Sequence, residues 1–143
     1  MQNSAPILVL FLCTGNSCRS QMAEGWARAL LAGVVEAHSA GVEAHGLNPL
    51  AVRVMREVGV DISGQRSKQV DALHGLRPDV VVTVCDRAAE ACPVFPGAPR
   101  MLHRDFHDPA PATGTEAEVL AVFRSVRDEI RDFVRDLPRL LAP

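Results

Sequence analysis

Ile7-Leu-Val-Leu-Phe-Leu12 is an uninterrupted apolar run bounded by Pro6 and by Thr14-Gly15-Asn16, and it constrains the fold more than any other stretch. A strand with one wet face alternates apolar and polar residues. A short run without alternation suits a strand buried on both faces, as in parallel sheets. Asp79-Val-Val-Val-Thr-Val-Cys85 repeats the pattern, and Val34–Ala40 and Pro99–Arg104 supply two further strand candidates. Between them run helical stripes. Met22, Trp26 and Leu30, with Ala23 and Ala27, mark one across Ser17–Ala32, closed by Gly33. Asn48-Pro49 reads as an N-cap with proline at the first helical position, and the stripe Leu50, Val54, Met55, Val58 runs on to Gly59. Ser67–Leu76 is expected to form a further short helix. Thr115–Leu137 is long and amphipathic, acidic where it opens (Glu116, Glu118) and basic where it closes (Arg131, Arg135), as the helix dipole favours. Strands alternating with helices imply an α/β fold, a single-domain doubly wound parallel sheet of about four strands flanked by helices.

The 143 residues suit one domain over 1–143. With 48% hydrophobic and 22% charged residues, the chain is neither a disordered tail nor a disulfide-dense miniprotein. A formal charge of −2 supplies no basic field for nucleic acid or anionic lipid, and five Phe, one Trp and no Tyr make a poor base-stacking platform. No nucleic-acid or membrane partner is therefore expected. Pro6–Cys13 is too short to span a bilayer, and no basic residue precedes it as in a secretory signal. The expectation is a cytoplasmic monomer whose four cysteines are reduced thiols.

The chemistry gathers in Cys13-Thr-Gly-Asn-Ser-Cys-Arg19-Ser20, between the first strand and the first helix. Cys-x5-Arg alone is weak, since chance supplies roughly 0.4 such pairs in a chain of this composition. Its context is specific: it follows a buried strand, contains Gly15 and Asn16, which tolerate left-handed backbone, and opens a helix. Such a loop, Thr14, Gly15, Asn16, Ser17, Cys18, Arg19 and Ser20, directs N–H groups into one concavity, where Arg19 can clamp two oxygens of a tetrahedral oxyanion. The same field favours a thiolate at Cys13, the expected nucleophile. Cys18 reads as a buried small residue of the loop. Asp108, held extended by Pro109, is the candidate general acid, with Asp105 its rival.

Cys85 ends the third strand, and Cys92 follows seven residues later. In a doubly wound sheet the first and third strands are often neighbours, which would bring Cys13 and Cys85 out at one carboxyl edge. If residues 86–91 are helical, Cys85 and Cys92 stand about 10.5 Å apart along its axis. A disulfide needs Cα atoms within about 7 Å, so pairing them requires that turn to unwind. On spacing alone a redox pair and two unrelated buried thiols both remain open. The cysteine spacings match no common zinc pattern, and His107 would have to complete such a site, so no metal is expected.

Taken together, Cys13–Gly25 (CTGNSCRSQMAEG), Ser39–Pro49 (SAGVEAHGLNP), Cys85-x6-Cys92 and Asp108-Pro109 resemble the thioredoxin-linked arsenate reductases, which share the low-molecular-weight protein tyrosine phosphatase fold. The resemblance implies a three-thiol relay over Cys13, Cys85 and Cys92. Arg19 would hold arsenate, Asp108 would act as acid, Asn16 would brace the loop, and Ser20 would hydrogen-bond the Cys13 thiolate. The Cys85–Cys92 disulfide would be reduced by thioredoxin, with electrons ultimately from NADPH and no bound cofactor. Some members hold potassium with residues matching Asn16, Glu24 and Ser39 plus an aspartate where this chain has Lys68. The lysine ammonium is expected to replace that ion and pair with Glu24. A phosphatase of the same fold is the alternative, hydrolysing phosphate monoesters through a cysteinyl-phosphate. Cys85, Cys92 and Ala110, where such phosphatases usually carry tyrosine, favour the reductase, with weak phosphatase activity on the side.

Overall fold

The computed structural model describes residues 5–142. Four strands, β1 (Ile7–Cys13), β2 (Val35–Gly41), β3 (Val80–Thr83) and β4 (Arg100–His103), form one sheet in the order β2-β1-β3-β4. Every neighbouring pair is parallel, with Leu12 opposite both Ala40 and Thr83. β1 and β3 are therefore central, which explains their uninterrupted apolar sequences. The chain leaves β1 toward β2 on one side and returns to place β3 on the other, making the β1/β3 edge a topological switch point.

The helices are α1 (Arg19–Leu30), α2 (Pro49–Glu57), α3 (Asp86–Glu90) and α4 (Glu116–Leu141). Asn48 caps α2, its side-chain oxygen accepting from the N–H groups of Leu50 and Ala51. Thr115 and Glu118 form a reciprocal capping box at the start of α4. α1 and α4 pack together, their contact pinned by Trp26 Nε1 donating to the Arg127 carbonyl at 3.0 Å. The core is one cluster built from β1 and β3, the inner faces of α1 and α2, and Phe123, Val126, Ile130, Val134 and Leu137 of α4.

Two expectations are corrected. Ser67–Leu76 is not a helix; only Val70–Leu73 forms a short 3-10 turn, and the segment before it is extended. Gly41 donates its N–H to the Lys68 carbonyl and bridges to Gln69, so this stretch is tied to the end of β2 and cannot coil. α4 also runs past Pro138 to Leu141. Proline removes one helical donor, but the end is held where Arg100 Nη2 donates to the Leu140 carbonyl at 2.8 Å.

Candidate active site

Residues 14–18 leave β1 and turn over its carboxyl end into α1. Their carbonyls are taken up outward. Cys13 O, Thr14 O and Gly15 O accept from the N–H groups of Val42, Glu43 and His45 at 3.0, 2.8 and 2.9 Å, and Ser17 O accepts from Asn48 N. Asn16 O accepts from Gln21 Nε2, and Cys18 O from Met22 N. The N–H groups of Thr14, Gly15, Ser17 and Cys18 have no protein acceptor among the described residues, so they are the polarity this loop has left to offer an anion.

Asn16 locks that shape. It is fully buried at φ 48°, and its amide serves four partners. Nδ2 donates to Ser20 Oγ (2.8 Å) and Ser39 Oγ (3.0 Å), while Oδ1 accepts from Lys68 N and Gln21 Nε2, each at 3.0 Å. Gln65 Nε2 in turn donates to Gln21 Oε1 at 2.8 Å. Ser20 Oγ lies 2.7 Å from Cys13 Sγ, and Asn16 N donates to the same sulfur at 3.2 Å. Two hydrogen bonds thus converge on the candidate nucleophile. Each can stabilise negative charge there.

Cys13, Thr14, Gly15, Ser17, Cys18, Arg19, His45, Arg87, Asp108 and Ala110 line one cleft of about 470 Å³. Arg19 Nη1 donates to Phe106 O at 3.1 Å, and Nη2 lies 3.5 Å from Asp108 Oδ2, joining the loop to the segment after β4. Asp108 is therefore the carboxyl in the cleft. Asp105 serves elsewhere, accepting from Asp86 N at the start of α3. Cys18 is buried against the site, and burial pushes its thiol up to about 12, with the negative charges of Asp108 and Cys13 adding in the same direction. It stays protonated at neutral pH.

Cys85 emerges beside Cys13 because β1 and β3 are paired; its Sγ lies 3.3 Å from Thr14 Oγ1. Cys92 stands beyond the far end of α3, partly buried, and burial raises its thiol above the ordinary value. α3 spans only Asp86–Glu90, with Cys85 as its N-cap and Cys92 two residues past its last, so the two thiols stand at opposite ends of this short helix. A disulfide between them, which needs Cα atoms within about 7 Å, is therefore expected to require α3 to open.

The site and fold have known counterparts. The model of the low molecular weight phosphotyrosine protein phosphatase family matches residues 8–142. This chain belongs to that family. Within it, the chain is 53% identical over 123 residues to an arsenate reductase of Halalkalibacterium halodurans, covering 86% of this chain and 88% of that protein. It is 52% identical over 129 residues to that of Bacillus subtilis, covering 90% and 93%. Among solved structures, an arsenate reductase in its oxidized state superposes with a TM-score of 0.77 at 34% identity, covering 94% of this chain and 98% of the other. A low molecular weight protein tyrosine phosphatase from T. tengcongensis does so with a TM-score of 0.73 at 30% identity, covering 94% and 99%.

Against this family background, the site predicted around Lys68 needs correction. Glu24 pairs with Arg28, one helical turn on, at 2.6 Å, and its other oxygen accepts from Ser39 Oγ at 2.6 Å. The Lys68 ammonium donates instead to Arg66 O at 2.9 Å. Its backbone is pinned by Asn16 Oδ1 and Gly41, so the side chain approaches Glu24 only as a nearby charge. Burial lowers its pKa, opposed by Glu24 and helped by Arg66 and Arg28. With its carboxylate already paired and a lysine alongside, this donor set does not fit a potassium ion. Sequence reasoning also missed His45 and Arg87, which reach the cleft from the loop after β2 and from α3. Both lie inside stretches that carry the resemblance, Ser39–Pro49 and Cys85-x6-Cys92, but those patterns give neither residue a role, and the fold brings them to the cleft.

Proposed function

We propose that this chain reduces arsenate to arsenite through Cys13, Cys85 and Cys92, with thioredoxin as the final reductant. The observation that carries the reading is the second thiol: Cys85 Sγ sits against Thr14 of the anion loop, at the carboxyl edge from which Cys13 also emerges. The Cys13 thiolate attacks arsenic while the loop amides and Arg19 hold the oxyanion, and Asp108 gives its proton to the oxygen that leaves as water. Arsenic is still pentavalent in this adduct. Cys85 then attacks the Cys13 sulfur. The S–S bond forms as the S–As bond breaks, its electron pair stays on arsenic, and arsenite departs. Two thiols becoming one disulfide supply the two electrons required.

Cys92 next attacks Cys85, Cys13 leaves as thiolate, and the disulfide moves outward to Cys85–Cys92. The α3 turn must open for this step, which also relieves the burial that raises the Cys92 thiol's pKa. A thioredoxin dithiol reduces the exposed disulfide. This chemistry needs a reducing compartment, and we place the chain in the cytoplasm as a monomer; no helix among the described residues is long and apolar enough to cross a membrane.

The test is arsenate-dependent NADPH oxidation with thioredoxin and thioredoxin reductase. Cys13→Ser is expected to abolish turnover, Cys85→Ser to stop arsenite release, and Cys92→Ser to stop sustained turnover after one cycle. Full turnover by Cys92→Ser would refute the third-thiol role. The family's phosphatase chemistry uses the same loop and acid with water in place of Cys85, so slow hydrolysis of a small aryl phosphate should survive in Cys85→Ser. Ala110, after Asp108-Pro109, offers no aromatic wall for such substrates.

A further inference from the structure

Arg87 lines the cleft with Cys13 and Arg19, yet it belongs to neither the anion loop nor the segment that carries Asp108. It stands on α3, and its only ion pair among the described residues is with Glu43, Nη2 to Oε1 at 3.6 Å, with both side chains about half exposed. A pair that long and that wet holds a guanidinium loosely. Glu43 is shared besides, its other oxygen lying 2.6 Å from His45 Nε2.

The charge balance of the cleft gives Arg87 a task. The proposed reaction brings a multiply charged oxyanion against a thiolate and beside the Asp108 carboxyl. The loop's own cation, Arg19, is already engaged with Phe106 O and Asp108. One partly committed guanidinium leaves an excess of negative charge in a concave, partly desolvated site, where each unit charge counts for more than in open water. We propose that Arg87 is a second oxyanion-binding residue, exchanging Glu43 for a substrate oxygen that Arg19 does not hold. The proposal rests on the oxyanion reading of the site. It adds that a residue of the relay segment helps to bind the substrate.

The experiment measures inorganic phosphate binding to the reduced protein by calorimetry, alongside arsenate kinetics, for wild type, Arg87→Ala, Arg87→Lys and Glu43→Gln. Loss of one charge-assisted contact predicts phosphate binding about tenfold weaker in Arg87→Ala, with KM for arsenate rising similarly and most of the loss in KM rather than kcat. Arg87→Lys should recover much of the affinity, and Glu43→Gln, which removes the competing carboxylate, should bind phosphate more tightly than wild type. Phosphate affinity unchanged in Arg87→Ala, or a loss confined to kcat, would overturn the assignment while leaving the oxyanion site standing. Failure of the wild type itself to bind phosphate would sink both.

Discussion

Asn16→Ala tests whether the anion loop is held by its buried polar network. The substitution deletes four hydrogen bonds, but the loss is unequal. Ser20 Oγ keeps its contact with Cys13, Ser39 Oγ keeps Glu24, and Gln21 Nε2 keeps the carbonyls of Asn16 and Arg66. The Lys68 N–H alone is orphaned, at a cost of about 1–3 kcal/mol, and the shared contacts add about 1 kcal/mol more. Alanine at φ 48° costs up to ~1 kcal/mol more, because it lacks the short polar side chain with which asparagine tolerates left-handed backbone. The sum is about 4 kcal/mol, near the upper end for a single substitution. Urea unfolding followed by the fluorescence of Trp26, the sole tryptophan, measures it directly. Asn16→Gly removes the same amide without the backbone strain and should be about 1 kcal/mol more stable than Asn16→Ala. If Asn16→Ala lies within about 1 kcal/mol of wild type, solvent replaces the network and the loop is not braced as argued.

Gly41→Ala should disrupt the same loop from beneath: a Cβ there would run into the Glu43 carbonyl and come within 2.7 Å of Asn16 N and 2.8 Å of Thr14 O. Backbone has to yield, so a loss of about 2–3 kcal/mol in urea unfolding, with arsenate kcat/KM falling at least about tenfold, is expected. Glu57 is drawn down to about 2 from an ordinary 4.5, first by the Arg124 hydrogen bond and then by the charges of Arg124 and Arg127. A depressed carboxyl stabilises the fold above its unfolded value and loses that stabilisation as pH falls through the folded one. Glu57→Gln should therefore flatten the decline in urea midpoint below about pH 4.5 while leaving the neutral region less stable than wild type. Alkylation of the native reduced protein at about pH 8, mapped by mass spectrometry, should label Cys92 well before Cys18. Cys18 is 3% exposed and its thiol is pushed up to about 12; rapid labelling there would contradict that environment.

The chain's local signals were readable to different depths. The apolar runs of β1 and β3 announced central parallel strands, and Asn48-Pro49 and Thr115 announced helix starts, because burial pattern and capping act over a few residues. The helix expected at Ser67–Leu76 failed for a non-local reason: Gly41 and Asn16 claim the backbone of Lys68 from the other side of the site. The expected Lys68–Glu24 pair is displaced by a nearer one, since Arg28 stands at i+4 from Glu24 on the same helix and holds its carboxylate. His45 and Arg87 were invisible as site residues, since each reaches the cleft only through the placement of its own segment.

By itself, the sequence determined the parallel α/β class, the strand–loop–helix around Cys13 and Arg19, and the presence of thiols at positions 85 and 92, since these depend on periodicity and spacing along one stretch. The tertiary structure settled what the sequence only led one to expect, that β3 pairs with β1 and so brings Cys85 to the anion loop and that Asp108 rather than Asp105 enters the cleft, and it alone brought Arg87 there. Those placements follow from hydrogen bonds, ion pairs and strand pairing between residues more than forty positions apart, and no local preference of either partner encodes them.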